Sequence, residues 1–251
     1  GERVRALDRG LMVLEALAKA SELSLTELGD RVGLAYSTAH RILETLRQRG
    51  YVVQSHETGR YSLGVRAFEV GSGFLAKGQL PEAAQAPMRK LVDELNETVN
   101  LAVQDGREAI YIYQVEGRQK VRMFTQIGAR TPLHSSGVGK VLLAWQDERA
   151  VQGLLEEAPL AAFTGTTLTE PGAVLEELRR VRERGYARDL EEFEPGVRCV
   201  AAPVRDRHGG VVAALSVSAP VARLGDERLE ALARSIGAAG KEISARLGWL
   251  E

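Results

Sequence analysis

SLTELGDRVGLAYSTAHRILETLRQR, residues 24–49, is the stretch whose reading decides the fold. It reads as two short helices joined by a tight turn. Ser24 caps the first, with Glu27 three residues on to bond back to the cap's own N–H, and Leu25, Leu28 and Val32 make one apolar stripe. Gly33 ends that helix, since glycine takes the left-handed conformation at little cost. The second helix is expected over residues 36–49, where Ala39, Ile42, Leu43 and Leu46 recur at the spacing of one buried face. Tyr36, Ser37, Thr38, His40 and Arg41 are thereby gathered at its exposed N-terminal end. Unpaired N–H groups and the positive pole of the helix favour phosphate there, and short hydroxyl and guanidinium side chains reach base edges once such a helix lies in a major groove. An ordinary helical hairpin with a solvated face carries the same pattern, so the context must decide.

That context is a β-hairpin. Residues 51–54 (YVVQ) and 60–63 (RYSL) are strand-like runs separated by the polar, turn-rich SHETG. A hairpin directly after a recognition helix is the wing of a winged helix-turn-helix, and it places His56 and Arg60 near the DNA backbone at its tip.

Outward from this core the whole composition sets limits. The chain has 251 residues, enough for one large or two ordinary domains, and its 27 % charged and 44 % hydrophobic content is that of a soluble globular protein. No apolar run approaches the ~20 residues that span a bilayer. Residues 1–10, GERVRALDRG, lack the basic, apolar and small-residue order of a secretory signal. One cysteine excludes an internal disulfide framework and suits a reducing compartment, so a cytoplasmic protein without a membrane partner is expected. The net charge of −1 argues against coating nucleic acid by charge alone. The local balance is more basic: Arg31, Arg41, Arg47, Arg49, Arg60 and Arg66 face only Glu44 and Glu57 over residues 31–66. A patch of this size suits a dimer or higher oligomer that adds modest phosphate contacts from each copy.

Along the chain, residues 4–19 form an amphipathic helix with a wide apolar face (Leu7, Leu11, Leu14, Leu17) that completes a three-helix core and has surface left for a partner copy. Residues 1–63 are the DNA-binding domain, 64–80 a glycine-weakened helical linker, and 81–251 a second domain that opens with a helix over residues 82–95. From Glu97 the period changes to strands, in ETVNLAVQ, EAIYIYQVE and VRMFTQI, with DGR as the turn between the first two. Residues 131–136 read as irregular and residue 137 begins a helix. Two more helices follow at 147–156 and 171–184, the latter with Thr169 as cap and Pro171 in its first turn. Strands at 186–191, 198–204 and 211–220 and a last helix at 226–247 complete an α+β domain, an antiparallel sheet flanked by helices.

Two blocks are familiar together. LSLTELGDRVGLAYSTAHRILETLRQRGYV resembles the winged helix-turn-helix of the IclR family of bacterial transcriptional regulators, and LHSSGVGKVLLAW with DLEEFEPGVRCVAAPVRDRHGGVVAALSVSAP resembles that family's C-terminal effector-binding domain. The resemblance covers nearly the whole chain. It implies a GAF-like α/β effector-binding domain with an antiparallel sheet, homodimers or homotetramers, and binding of double-stranded operator DNA, as a repressor or an activator, adjusted by a small organic acid effector. Carried over residue by residue, the effector pocket falls on Asp189, Cys199, Ser216 and Ser218, with the backbone N–H groups of Gly137 and Val138 and with Met123 on the apolar side. The chemistry is coherent, because helix-start N–H groups receive a carboxylate and two hydroxyls from alternate positions of one strand share a face. Ala35, where the family commonly has proline, and Tyr36, where a small or basic residue is common, bear on which bases are read.

The same residues have plainer readings. A lone strand cysteine is usually a small buried hydrophobe, and Asp189 has Arg188 and Arg198 as surface partners. An enzyme acting on a small keto acid with Cys199 as nucleophile and His134 as base is a competing function, but GVGK lacks the GxxxxGK[ST] spacing and no second acid or base is placed. His134, Asp189 and Cys199 are also zinc-compatible ligand types without a recognised spacing, which makes a zinc-containing sensor the other alternative. No catalytic residue, cofactor or metal is expected.

Overall fold

Apolar periodicity becomes α1 (Arg5–Ala18), α2 (Leu25–Val32) and α3 (Tyr36–Gln48), followed by β1 (Val52–Gln54) and β2 (Tyr61–Leu63) and by α4 (Val65–Lys77). The structure, a computed structural model, describes residues 4–77, 79–120 and 125–250, and the chain divides into two compact units at 78/79. In the first unit Val13 and Leu17 of α1, Leu28 and Val32 of α2 and Leu43 of α3 meet Val52 and Tyr61 of the hairpin in one small core. Each fully buried side chain of this kind contributes about 1.5–3 kcal/mol. The capping box is formed: Glu27 N donates to Ser24 Oγ at 3.3 Å and Ser24 N donates to Glu27 Oε2 at 2.7 Å. Gly33 ends α2 at φ +64°, where a Cβ would be strained.

The hairpin pairs Val52 with Leu63 and Gln54 with Tyr61. A third chain segment joins it, for Leu23 and Tyr61 exchange N–H···O bonds of 2.9 and 2.7 Å, a bridge that periodicity alone does not reveal.

The second unit starts with α5 (Leu80–Leu95), which has Pro81 in its first turn, runs through a buried Pro87 and ends at Asn96 in the left-handed region. Then come β3 (Val99–Asp105), β4 (Glu108–Val115), β5 (Arg130–Pro132), α6 (Gly137–Ala144), α7 (Glu148–Glu156), α8 (Pro171–Arg184), β6 (Ala187–Leu190), β7 (Val197–Arg205), β8 (Val211–Pro220) and α9 (Asp226–Arg246). The six strands form one antiparallel sheet in the order β5-β4-β3-β8-β7-β6. Helices α6, α7 and α8 share a core with the sheet residues Ala102, Ala109, Ala187, Ala201 and Ala214. Those alanines lie on one face of the pleat and let α6 come so close that all eight of its residues are buried. Gly139 is obligatory there, because a Cβ would overlap the backbone of Leu133.

Three expectations are corrected. The strand read over VRMFTQI falls partly on residues 121–124, which lie outside the described residues, and Thr125–Ile127 is not strand. The edge strand beside β4 is β5, which overlaps the start of the stretch read as irregular, where Ile110 pairs with Arg130 and Glu108 with Pro132. Three residues ending in proline have too short a pattern to register as a strand. Finally, α8 is preceded by Glu170, which makes no side-chain cap bond, because Pro171 with its fixed φ sets the start one residue after the point where Thr169 would cap.

Candidate functional site

The first unit presents the N-terminal end of α3. Tyr36 is 66 % exposed, and Ser37, His40 and Arg41 are exposed beside it, with Thr38 half-buried. The residue ahead of the helix is Ala35, which has no side-chain oxygen to cap it. Ala35 O accepts from Thr38 N and Ala39 N, so the N–H groups of Tyr36 and Ser37 have no acceptor within the helix and face solvent. Ala39 and Leu43 bury the opposite face.

The basic patch is smaller than the sequence suggests. Arg47 is engaged by Glu44 through two bonds of 2.9 Å, and that carboxyl is held at about 2 by the guanidinium and by Gln48. Arg66 pairs with Glu69. Arg60, expected at the wing tip, turns back to Glu27 at 2.6 Å and Glu22 at 3.4 Å. Glu27 is held at about 2 by the Ser24 N–H and then by Arg60, so one carboxylate serves both cap and ion pair. Arg31, Arg41 and Arg49 have no ion-pair partner among the described residues, and His56 is exposed in the turn between the strands.

In the second unit β6, β7 and β8 lay Asp189, Cys199 and Ser218 side by side, in register, on the face that carries α6. With Gly137 they line a cavity of about 150 Å³, whose other walls are Tyr111, Thr125, Ala129, Arg130, Thr131, Ser136, Phe193, Glu194 and Val197. Ser216, one step along β8, is fully buried beneath it; its Oγ makes no hydrogen bond of normal geometry, and neither does Thr131 Oγ1. Val138 buries its side chain in the core and offers only its backbone, and Met123 lies outside the described residues. At the start of α6, Ser136 Oγ accepts from Gly139 N at 3.1 Å and Ser136 O from Lys140 N at 3.0 Å. The buried N–H groups of Gly137 and Val138 are left over.

Asp189 is 5 % exposed and does not reach a surface arginine. Its Oδ1 accepts from Glu192 N at 2.8 Å and Phe193 N at 3.4 Å, while Arg188 binds Glu230 and Arg198 binds Asp226. Burial pushes its carboxyl up to about 6, against the pull of Lys140 and of those two N–H groups. Lys140 is itself fully buried and meets Glu192 at 2.5 Å. The loop that carries Glu192 is strapped down. Thr164 and Thr166 hydroxyls donate to Glu191 O at 2.7 and 2.8 Å, and Thr167 donates to Glu192 O at 2.6 Å. Glu191 is held at φ +64°, a strained state for a residue with a side chain and one that persists where neighbours over-determine it.

Burial, and then Asp189, push the Cys199 thiol up to about 12, with Ser218 and Ser216 pulling slightly the other way, so it is a poor source of thiolate. His134 faces Ala161 O at 3.0 Å and lies against Phe163, and is not seated as a base. Among the described residues no three His, Cys, Asp or Glu side chains converge as a metal site. No helix among them is long and apolar enough to cross a membrane.

Sequence reasoning missed most of the cavity walls. Tyr111, Ser136 and Phe193 carry no motif of their own; only the alternation of β4 marks Tyr111 as facing the same side as Ala109.

Comparison with known proteins joins the two units. Residues 6–56 match the IclR helix-turn-helix domain and residues 73–245 match the bacterial transcriptional regulator IclR C-terminal domain. The transcriptional repressor IclR of Escherichia coli is 41 % identical over 249 residues, 98 % of this chain and 91 % of that protein. The HTH-type transcriptional regulator BhcR of Paracoccus denitrificans is 41 % identical over 241 residues, 96 % of this chain and 86 % of that one. Among solved structures, an IclR homologue from Microbacterium hydrocarbonoxydans complexed with 4-hydroxybenzoate superposes with a TM-score of 0.87 at 26 % identity, covering 96 % of this chain and 98 % of that one. With a helix-turn-helix in its first unit and the IclR C-terminal domain in its second, the chain belongs to the IclR family of bacterial transcriptional regulators.

Proposed function

We propose that the chain is a cytoplasmic, ligand-responsive regulator that binds double-stranded operator DNA as a homodimer or homotetramer and releases or grips it according to a small organic acid in the Asp189 cavity. Tyr36, Ser37, Thr38, His40 and Arg41 enter the major groove, and His56 approaches the backbone beside it. Arg60, expected near the DNA backbone at the wing tip, pairs with Glu27 and Glu22 in the free chain.

The observation that carries the effector reading is the pair of buried N–H groups of Gly137 and Val138 left without an acceptor at the start of α6, with Gly137 lining the cavity that also holds Cys199, Ser218 and Asp189. Buried donors without partners are costly, about 1–3 kcal/mol each, and an acid ligand satisfies them. A structural neighbour that carries 4-hydroxybenzoate supports the same ligand chemistry. Effector occupancy shifts the population between two oligomer geometries and so changes the spacing of the two recognition helices. Neither the cavity nor the cysteine supports turnover, and the relatives named above are regulators.

A thermal-shift screen of the full chain with small mono- and dicarboxylates, keto acids and aromatic acids tests this. A ligand at ~100 times its Kd adds about 2.7 kcal/mol. A stabilising acid whose effect disappears in Asp189→Ala and Cys199→Ala, and which alters a salt-sensitive preference for the chain's own upstream DNA over random duplex, is the expected result. No preference for any duplex, with or without acids, refutes the proposal.

A further inference from the structure

The Asp189 cavity holds acids and bases in an unequal balance that constrains what enters it. Resting on the reading of this cavity as an acid sensor, we infer that Asp189 selects the effector: the site takes a monoanionic acid carrying a second oxygen, shares one proton between Asp189 and that oxygen, and rejects dianions.

The argument starts with charge. On α6, Lys140 is neutralised by Glu192 of the covering loop. On β5, Arg130 is held by both Asp105 at 2.7 Å and Glu108 at 3.0 Å. Glu194, on the loop, adds a carboxylate to the wall. Cys199 on β7 and Tyr111 on β4 face the same space, and burial pushes both up, so they stay neutral. Among the described residues, what remains to receive a ligand's charge is the start of α6, whose dipole is worth roughly half an elementary charge. One carboxylate is accommodated there; among the described residues a second meets Asp189, Glu194, hydroxyls and the already paired Arg130.

Size points the same way. A cavity of about 150 Å³ is of the order that holds one benzene ring. Within that span a carboxylate on the Gly137 and Val138 N–H groups brings the rest of the molecule against Asp189. Both hydrogen bonds that Asp189 accepts go to Oδ1, and Oδ2 has no partner among the described residues. Two carboxylates so confined cannot both stay ionised, as in any pair sharing a low-dielectric site. Burial already brings the Asp189 carboxyl to about 6, so one proton completes the pair. Protonated, Asp189 becomes a donor, and a keto, hydroxyl or phenolic oxygen on the ligand accepts from it. No bond other than hydrogen bonds forms or breaks; the proton comes from solvent.

Proton linkage fixes the test. Isothermal titration of the full chain with pyruvate, lactate, 4-hydroxybenzoate, butyrate and succinate, at pH 5.5, 6.5, 7.5 and 8.5 and in two buffers of different ionisation enthalpy, reads affinity and proton uptake together. At least one of the first three is expected to bind with uptake approaching one proton above pH 7 and with Kd rising toward tenfold per pH unit there. Butyrate, without the second oxygen, and succinate, with a second charge, are each expected to bind at least tenfold more weakly. In Asp189→Asn, pH dependence and proton uptake disappear together. Binding of an oxygenated monoacid without proton uptake overturns the shared proton while leaving the acid-sensor reading intact; so does succinate binding as tightly as the best monoacid. Failure of every acid at every pH overturns both. The proton count on the unmodified chain decides the matter even where Asp189→Asn does not fold.

Discussion

Two helices of this chain begin in the same way and meet opposite surroundings. Both α3 and α6 leave the N–H groups of their first two residues without an acceptor, Tyr36 and Ser37 in one, Gly137 and Val138 in the other. In α3 the start is uncapped, exposed and flanked by Arg41. In α6 it is capped by Ser136, buried, and closed over by a loop pinned through Lys140 and three threonines. The same unpaired groups thus suit a large anion that arrives from outside in one unit and a small anion that must be enclosed in the other. On the proposed function, enclosure, more than the helix end itself, sets the kind of partner.

The comparison breaks most readily at the enclosure. Lys140→Met strands the Glu192 carboxylate and should cost about 3–5 kcal/mol of stability in urea denaturation, with most of the loss recovered by adding Glu192→Leu. Full recovery of effector binding in that double variant would show that closure needs shape alone. Next comes Asp189. Its folded carboxyl is raised from 3.8 to about 6, so the folded state holds the proton more tightly than the unfolded chain. The stability linked to that proton is present in full below pH 4 and is lost as pH rises through 6, about 3 kcal/mol in all. Asp189→Asn does not titrate, so its stability relative to the parent should improve by about that amount between pH 4 and pH 8 in melts across the range. A constant gap would mean that Asp189 is not desolvated.

At the open end, Arg41→Ala should weaken specific operator binding by about 1–3 kcal/mol with little change on random duplex; an equal loss on every sequence would mark a phosphate contact. The smallest effects come from exchanging the caps. Ser136→Ala should lower stability by about 1 kcal/mol, and Ala35→Ser should raise it by at most ~1 kcal/mol while weakening DNA binding, because the new hydroxyl takes an N–H otherwise left for phosphate. Unchanged affinity in Ala35→Ser would place the α3 start away from the DNA backbone.

The open end was legible in the sequence, and the closed end only in part, for a physical reason. Ser24, Glu27, Gly33 and the stripe through Leu43 act within a turn or two of themselves, so their spacing encodes their structure. Ser216 and Ser218 alternate on one strand and share a face as read. Lys140, however, finds Glu192 and Arg60 finds Glu27 across long separations that no periodicity records. The strap on Glu191 is likewise invisible, since TGTT is an unremarkable polar run until it is folded over the loop. Arg60 shows the limit most clearly: it lies in the hairpin just ahead of β2, but its direction is set by a carboxylate already engaged as a cap.

Where β2 leaves the wing, Gly64 lies against the carbonyl of Gly50 so closely that any side chain would overlap it, while Gly64 N donates to Tyr51 O at 2.8 Å and Arg66 N to Gly50 O at 3.2 Å. Mechanically this is a weld. Main chain bears on main chain, with no compliant rotamer between the first turn of α4 and the segment that ends α3. A torque applied to the first turn of α4 is therefore expected to pass to the wing and to the segment that ends α3.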